Sequence, residues 1–180
     1  MIRAKTIADT LTIARVFLAL LILWLGVTGG SEALPAAMTA LIFAWATDLL
    51  DGPLARRDPS APQTWVGERD LYADVSVGLS VLGYLTFAGF IRLWAGLAYL
   101  AICVALLLYF RSVQLGWLVQ APPYLMMFVL ALRQAPLQGG IAVAWMLLGV
   151  ILTWPRFPKE TIPAFLRGMR ALGRPADQDR

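Results

Sequence analysis

The 180-residue sequence contains no histidine, which removes imidazole both as an acid–base group near neutral pH and as a metal ligand. It contains one cysteine, Cys103, so no internal disulfide can form. Charge is also scarce. Asp, Glu, Lys and Arg make up 14% of the residues, against roughly 25% in a soluble domain. No internal repeat, low-complexity tract or interdomain linker interrupts the chain, and nothing in its pattern asks for a nucleic-acid partner. Any chemistry must rest on carboxylates, arginines and hydroxyls.

What is abundant is hydrocarbon: 59% of the residues are hydrophobic and the mean hydropathy is +0.70. A soluble fold of this composition would have to bury almost everything outside its loops, whereas an integral membrane protein would not. Six apolar stretches, at roughly 11–28, 35–56, 69–90, 93–110, 113–132 and 138–154, approach the ~20 residues that cross a bilayer. They predict an all-α, polytopic membrane protein with about six transmembrane helices. Pro122 and Pro123 make the fifth the weakest of the six. The expected organisation is one membrane domain over 1–158 and a basic cytoplasmic tail over 159–180.

Basic residues set the orientation. With six spans and the N-terminus inside, thirteen of the fifteen Lys and Arg residues fall on the inner side, and only Arg92 and Arg133 fall outside. This predicts an N-in, C-in protein of a cytoplasmic-type inner membrane. The N-terminus has a competing reading as a cleaved signal, from Arg3, Lys5, the apolar run 16–27 and Ser31-Glu32-Ala33. Asp9 within the basic region, and the five later spans, favour a retained first helix.

The acidic residues are unevenly placed. Six of the eleven lie between Ala46 and Gly78, flanked by apolar sequence. On a helix Asp48, Asp51, Gly52 and Ala55 follow i, i+3, i+4, i+7 and share one stripe. Asp70 and Asp74 share a face of the next span. Counted back from Arg56 at about 1.5 Å per residue, Asp48 lies ~12 Å and Asp51 ~8 Å inward, near the headgroups. If the two spans are antiparallel neighbours, the stripes face each other. Carboxylates at such depth need compensation. Three kinds fit: protonation, as in a relay; arginine pairing, for which Arg56 and Arg69 sit only at the rim; or two hard divalent cations, Mg²⁺ or Mn²⁺. Gly52 and Ala55 read either as helix-packing residues or as a flat floor for a bulky polar ligand.

The run Asp48-Leu-Leu-Asp51-Gly52-Pro-Leu-Ala55-Arg56, followed by Gly67-Glu-Arg-Asp70-Leu-Tyr-Ala-Asp74, resembles the signature of the CDP-alcohol phosphatidyltransferases. That pattern is DxxDGxxAR, then eight or more residues, then GxxxDxxxD. All four aspartates are in order. Gly67 stands three rather than four residues before Asp70, which on a helix still leaves it within about 60° of that aspartate. The resemblance implies transfer of a phosphatidyl group from CDP-diacylglycerol, or a similar CDP-lipid, to an alcohol acceptor, with release of CMP. It implies two divalent ions held by Asp48, Asp51, Asp70 and Asp74, with Asp74 also the catalytic base. Gly52, Ala55, Arg56 and Gly67 would then contact the CDP-lipid. A homodimer is expected from the resemblance alone.

The acceptor is left open among glycerol 3-phosphate, serine, inositol derivatives, choline and another phospholipid. Arg111 and Arg15 are candidates for holding an acceptor phosphate, and read otherwise as interfacial anchors. In the tail, Phe165, Leu166, Met169 and Leu172 fall on one helical face with Arg167, Arg170 and Arg174 opposite, which suits either a short interfacial helix or a solvated tail. The tryptophans, Trp117 among them, read as interface anchors. Two rival readings are a transporter using the aspartates as a relay and a family member that has lost catalysis.

Overall fold

The computed structural model describes residues 4–55, 70–110, 113–155, 159 and 162–171. Apart from short turns, these residues are helical, and among them there is no strand. The helices are α1 (Ala4–Gly29), α2 (Leu34–Ala55), α3 (Asp70–Phe87), α4 (Leu93–Phe110), α5 (Val113–Gln134), α6 (Pro136–Leu152) and α7 (Ile162–Ala171). Three helical stretches are long and apolar enough to cross a membrane: Asp9–Leu49, Leu93–Phe110 and Leu115–Gln134. Ala73–Phe87 and Pro136–Leu152 are shorter apolar helices. The first stretch is folded into a hairpin, because α1 and α2 pack along each other on either side of a 3-10 turn, Gly30–Ala33. Gly30 takes a φ of 56°, a left-handed conformation that glycine adopts without steric cost.

The core lies where α1, α2 and α3 meet, with α5 and α6 closing one side. Its residues follow helical spacing. On α1 the buried stripe is Thr12, Arg15, Ala19, Ile22 and Gly26. On α2 it includes Ala37, Met38, Leu41 and Ala44, and on α3 Val77, Val81, Tyr84 and Leu85. Small residues let the helix axes approach, which in a membrane substitutes for the missing hydrophobic drive between helices. A Cβ on Gly26 would stand 2.8 Å from the Cα of Tyr84, so glycine is required where α1 crosses α3. The Tyr84 hydroxyl reaches on to donate to the Gly30 carbonyl at 3.1 Å, tying α3 to the hairpin turn. Many large apolar side chains point outward, including Phe17, Trp24, Leu97, Leu108, Leu137 and Ile151. Such a surface suits lipid, not water.

The prolines of α5 do not end it. Pro122 and Pro123 lie inside a helix that continues from Val113 to Gln134. Proline lacks the N–H that would bond the carbonyl four residues back, which for Pro123 is that of Val119. The Tyr99 hydroxyl from α4 donates to the Val119 carbonyl at 2.7 Å and supplies the missing partner. Neighbouring helices commonly satisfy backbone freed by a membrane proline in this way.

Candidate functional site

α1 packs along both α2 and α3, while those two touch each other little. The two acidic helices are thus joined through a third. Arg15 projects from the buried stripe of α1 and stands between them. Its Nη2 lies 3.2 Å from Oδ1 of Asp48 on α2, and its Nη1 donates to Oδ1 of Asp74 on α3. The Arg15 side chain is 2% exposed, whereas those of Asp48 and Asp74 are 54% and 34% exposed. A cation this deeply buried is tolerated when paired and hydrogen-bonded. The carboxylates, by contrast, reach towards solvent. Of the three compensations the sequence allowed, arginine pairing is present for this pair, from Arg15; the rim arginines Arg56 and Arg69 lie outside the described residues.

Asp48, Asp74 and Arg15 line a cleft of about 240 Å³ with Ala44, Trp45, Val77, Trp117, Gln120 and Tyr124. The side of the cleft built by α5 is a stripe at 117, 120 and 124, which helical spacing brings into line. Gln120 is held there at both ends of its amide: Nε2 donates to the Gly116 carbonyl at 3.0 Å, and Oε1 accepts from the Tyr124 hydroxyl at 3.3 Å. Gly78, one turn beyond Asp74, makes room for it, since a Cβ there would fall 2.5 Å from the Gln120 amide oxygen. The Trp45 and Tyr124 rings meet edge to face at 5.8 Å. At the outer end of the stripe, Trp117 stacks on Phe165 of α7 with a centroid separation of 6.5 Å and an interplanar angle of 13°.

Of the residues singled out from the sequence, Asp48, Asp74 and Arg15 come together in this cleft. The α2 backbone runs on through Asp51, Gly52 and Ala55, and α3 begins at Asp70. The side chains of these residues lie outside those described. Arg56, Gly67 and Arg111 also lie outside the described residues. The aromatic and amide side of the cleft was not anticipated. Trp117, read from the sequence as an interface anchor, lines the cleft as well.

A sequence model of the CDP-alcohol phosphatidyltransferases matches residues 5–155. The chain belongs to the CDP-alcohol phosphatidyltransferase family. Its match takes in α1 to α6 and every residue that lines the cleft. No curated protein and no solved structure matches the chain significantly. Family membership makes this a membrane-associated protein of a transferase family whose donors are CDP-alcohols and whose members generally depend on divalent metal. Among the described residues no three Asp, Glu or Cys side chains come together as a metal-holding group, but the oxygen chemistry of Asp48 and Asp74 is compatible with such an ion. Two carboxylates from different helices open on a water-accessible cleft, and hard oxygen ligands of this kind suit Mg²⁺ or Mn²⁺.

Proposed function

We propose that this protein transfers a phosphatidyl group from CDP-diacylglycerol, or a similar CDP-lipid, to an alcohol and releases CMP. The observation that carries the reading is the convergence of Asp48 and Asp74, both part of the family signature, in one solvent-open cleft of an otherwise apolar bundle. Asp48, Asp51, Asp70 and Asp74 are the residues that would hold two Mg²⁺ or Mn²⁺ ions, whose charge would offset that of the donor diphosphate. Asp74 accepts the proton of the acceptor hydroxyl. As that oxygen bonds to the lipid-side phosphorus, the bond from this phosphorus to the bridging oxygen breaks, and CMP leaves with the electron pair. Arg15 orients Asp74 by holding one carboxylate oxygen, leaving the cleft side of the group to face the acceptor.

Gly52, Ala55, Arg56 and Gly67 are proposed to contact the CDP-lipid. The acceptor stays open, with glycerol 3-phosphate as one candidate. Because Arg15 is engaged with both carboxylates, Arg111 is the stronger of the two candidates for its phosphate. The reading includes six spans, both termini cytoplasmic, a site on the cytoplasmic face of the inner membrane, and a homodimer by analogy with the family. A lipid with its tails in the leaflet and its nucleotide in water would react at that boundary.

The test is CMP release from CDP-diacylglycerol in mixed micelles, with glycerol 3-phosphate, inositol phosphate, inositol, serine and phosphatidylglycerol offered singly. Release should require one acceptor and Mg²⁺ or Mn²⁺, and should stop with chelator. Asp74→Asn should lower it by about 10²–10⁴-fold, the usual contribution of a general base. Release that persists in chelator, or unchanged in Asp74→Asn, would refute the mechanism; no release with any acceptor would favour a non-catalytic member.

A further inference from the structure

The helix α7 packs on α5 beside the cleft, beyond the residues of the signature. Trp117 lines the cleft with Asp48 and Asp74, yet remains 47% exposed, so the bundle alone does not fix its indole. What lies against its ring is Phe165, stacked at 6.5 Å and 13°, within the ~4.5–7 Å at which aromatic pairs attract. Phe165 is half-buried, while the next residue, Leu166, is exposed. The packing of α7 on α5 thus brings one aromatic side chain of the tail to a residue of the cleft wall. The amphipathic pattern of the tail leaves its arginine face for solvent or headgroups while Phe165 turns inward.

We propose that α7 is an outer buttress of the cleft, and that Phe165 is a positioning residue that acts through Trp117. It touches neither carboxylate. It holds the indole upright at the end of the 117, 120, 124 stripe, so that the cleft keeps its width opposite Asp48 and Asp74. Removing the buttress lets the indole swing and weakens the fit of whatever occupies the cleft, without disturbing the reacting carboxylates.

Only the kinetic part of the test rests on the transfer reading. With CDP-diacylglycerol in mixed micelles and the acceptor that supports CMP release, Phe165→Ala should raise KM for at least one substrate by about 2- to 10-fold, the range expected for one aromatic pair. The kcat should stay within about twofold, and Phe165→Tyr should restore KM. An unchanged KM, or a fall in kcat alone that Phe165→Tyr does not repair, would overturn the positioning role. The contact itself is read without activity. In a full-length Cys103→Ser chain carrying Trp117→Cys and Phe165→Cys, a short bis-thiosulfonate linker should join the two positions within one chain. Failure to join them would overturn the buttress. Joining in the double-cysteine chain, with no CMP release by the unsubstituted protein, would uphold the buttress and count against the transfer reading alone.

Discussion

Arg15 allows a sharp test of how charge is balanced in the bundle. Its side chain is 2% exposed and ion-paired with Asp48 and Asp74, which are 54% and 34% exposed. The burial is therefore lopsided, and so are the expected costs. Changing both aspartates to alanine takes two carboxylate partners from a guanidinium in a low-dielectric core, a loss of up to about 3–5 kcal/mol. Changing Arg15 to methionine instead removes the buried charge, keeps much of its volume, and leaves two carboxylates that water can reach. The lost charge-assisted hydrogen bonds are partly offset by the desolvation no longer incurred, for a net of about 1–2 kcal/mol. Combining all three substitutions should recover much of the stability lost in the double aspartate variant. The assay is built in, because Cys103 is buried and is the sole thiol. A fluorogenic maleimide in detergent, with chelator present, reports unfolding as Cys103 becomes accessible. At roughly 2–4 °C per kcal/mol for a chain of this size, the double variant should unfold well below Arg15→Met. If Arg15→Met proves the more damaging, or if adding it to the double variant gives no recovery, the reasoning fails.

Three further outcomes follow from the packing. Gly26→Ala should destabilise by about 1–3 kcal/mol through overpacking against the Tyr84 backbone. Gly140→Ala, where a Cβ meets nothing within 4 Å, should be neutral or stabilising in the same thermal assay. Tyr84→Phe should cost about 0.5–1.5 kcal/mol by removing the hydrogen bond to the Gly30 carbonyl, with the cavity otherwise filled. For the proposed orientation, single cysteines at Glu32 and Asp58 in a Cys103→Ala chain should react oppositely with an impermeant maleimide in sealed right-side-out vesicles. Position 32 should label from outside and position 58 only after the vesicles are opened; the reverse pattern would invert the topology.

The helices were legible because their signals are local. Apolar runs of spanning length and their polar breaks lie close to the observed elements: the stretch read at 93–110 is α4, and that at 113–132 lies within α5, Val113–Gln134. In the tail, where the sequence left a helix and a solvated segment both open, Phe165 and Leu166 fall within α7, a helix. The stretch that carries the prolines is the least apolar of the three candidate spans, yet it forms one continuous helix. The cost of the prolines is local, but its repair by the Tyr99 hydroxyl comes from another helix, and no window on α5 contains it.

For the site, the amino-acid sequence by itself singled out Asp48 and Asp74, which meet in the cleft, because the spacing of a signature along one chain suffices for that. Arg15 carried a readable signal too: it lies in step with Thr12, Ala19, Ile22 and Gly26, all buried on one stripe of α1. Such register places an arginine towards the core, not at an interfacial rim. Its partners were a different matter. That α1 stands between the two acidic helices, so that Asp48 and Asp74 meet through Arg15, follows from how three helices pack. So do the aromatic and amide side of the cleft from α5 and the stacking of Phe165 on Trp117. Sequence spacing orders residues around one helix axis; the rotation and neighbour of each helix are decided by side-chain volumes summed over the whole bundle, and only the tertiary structure contains that sum.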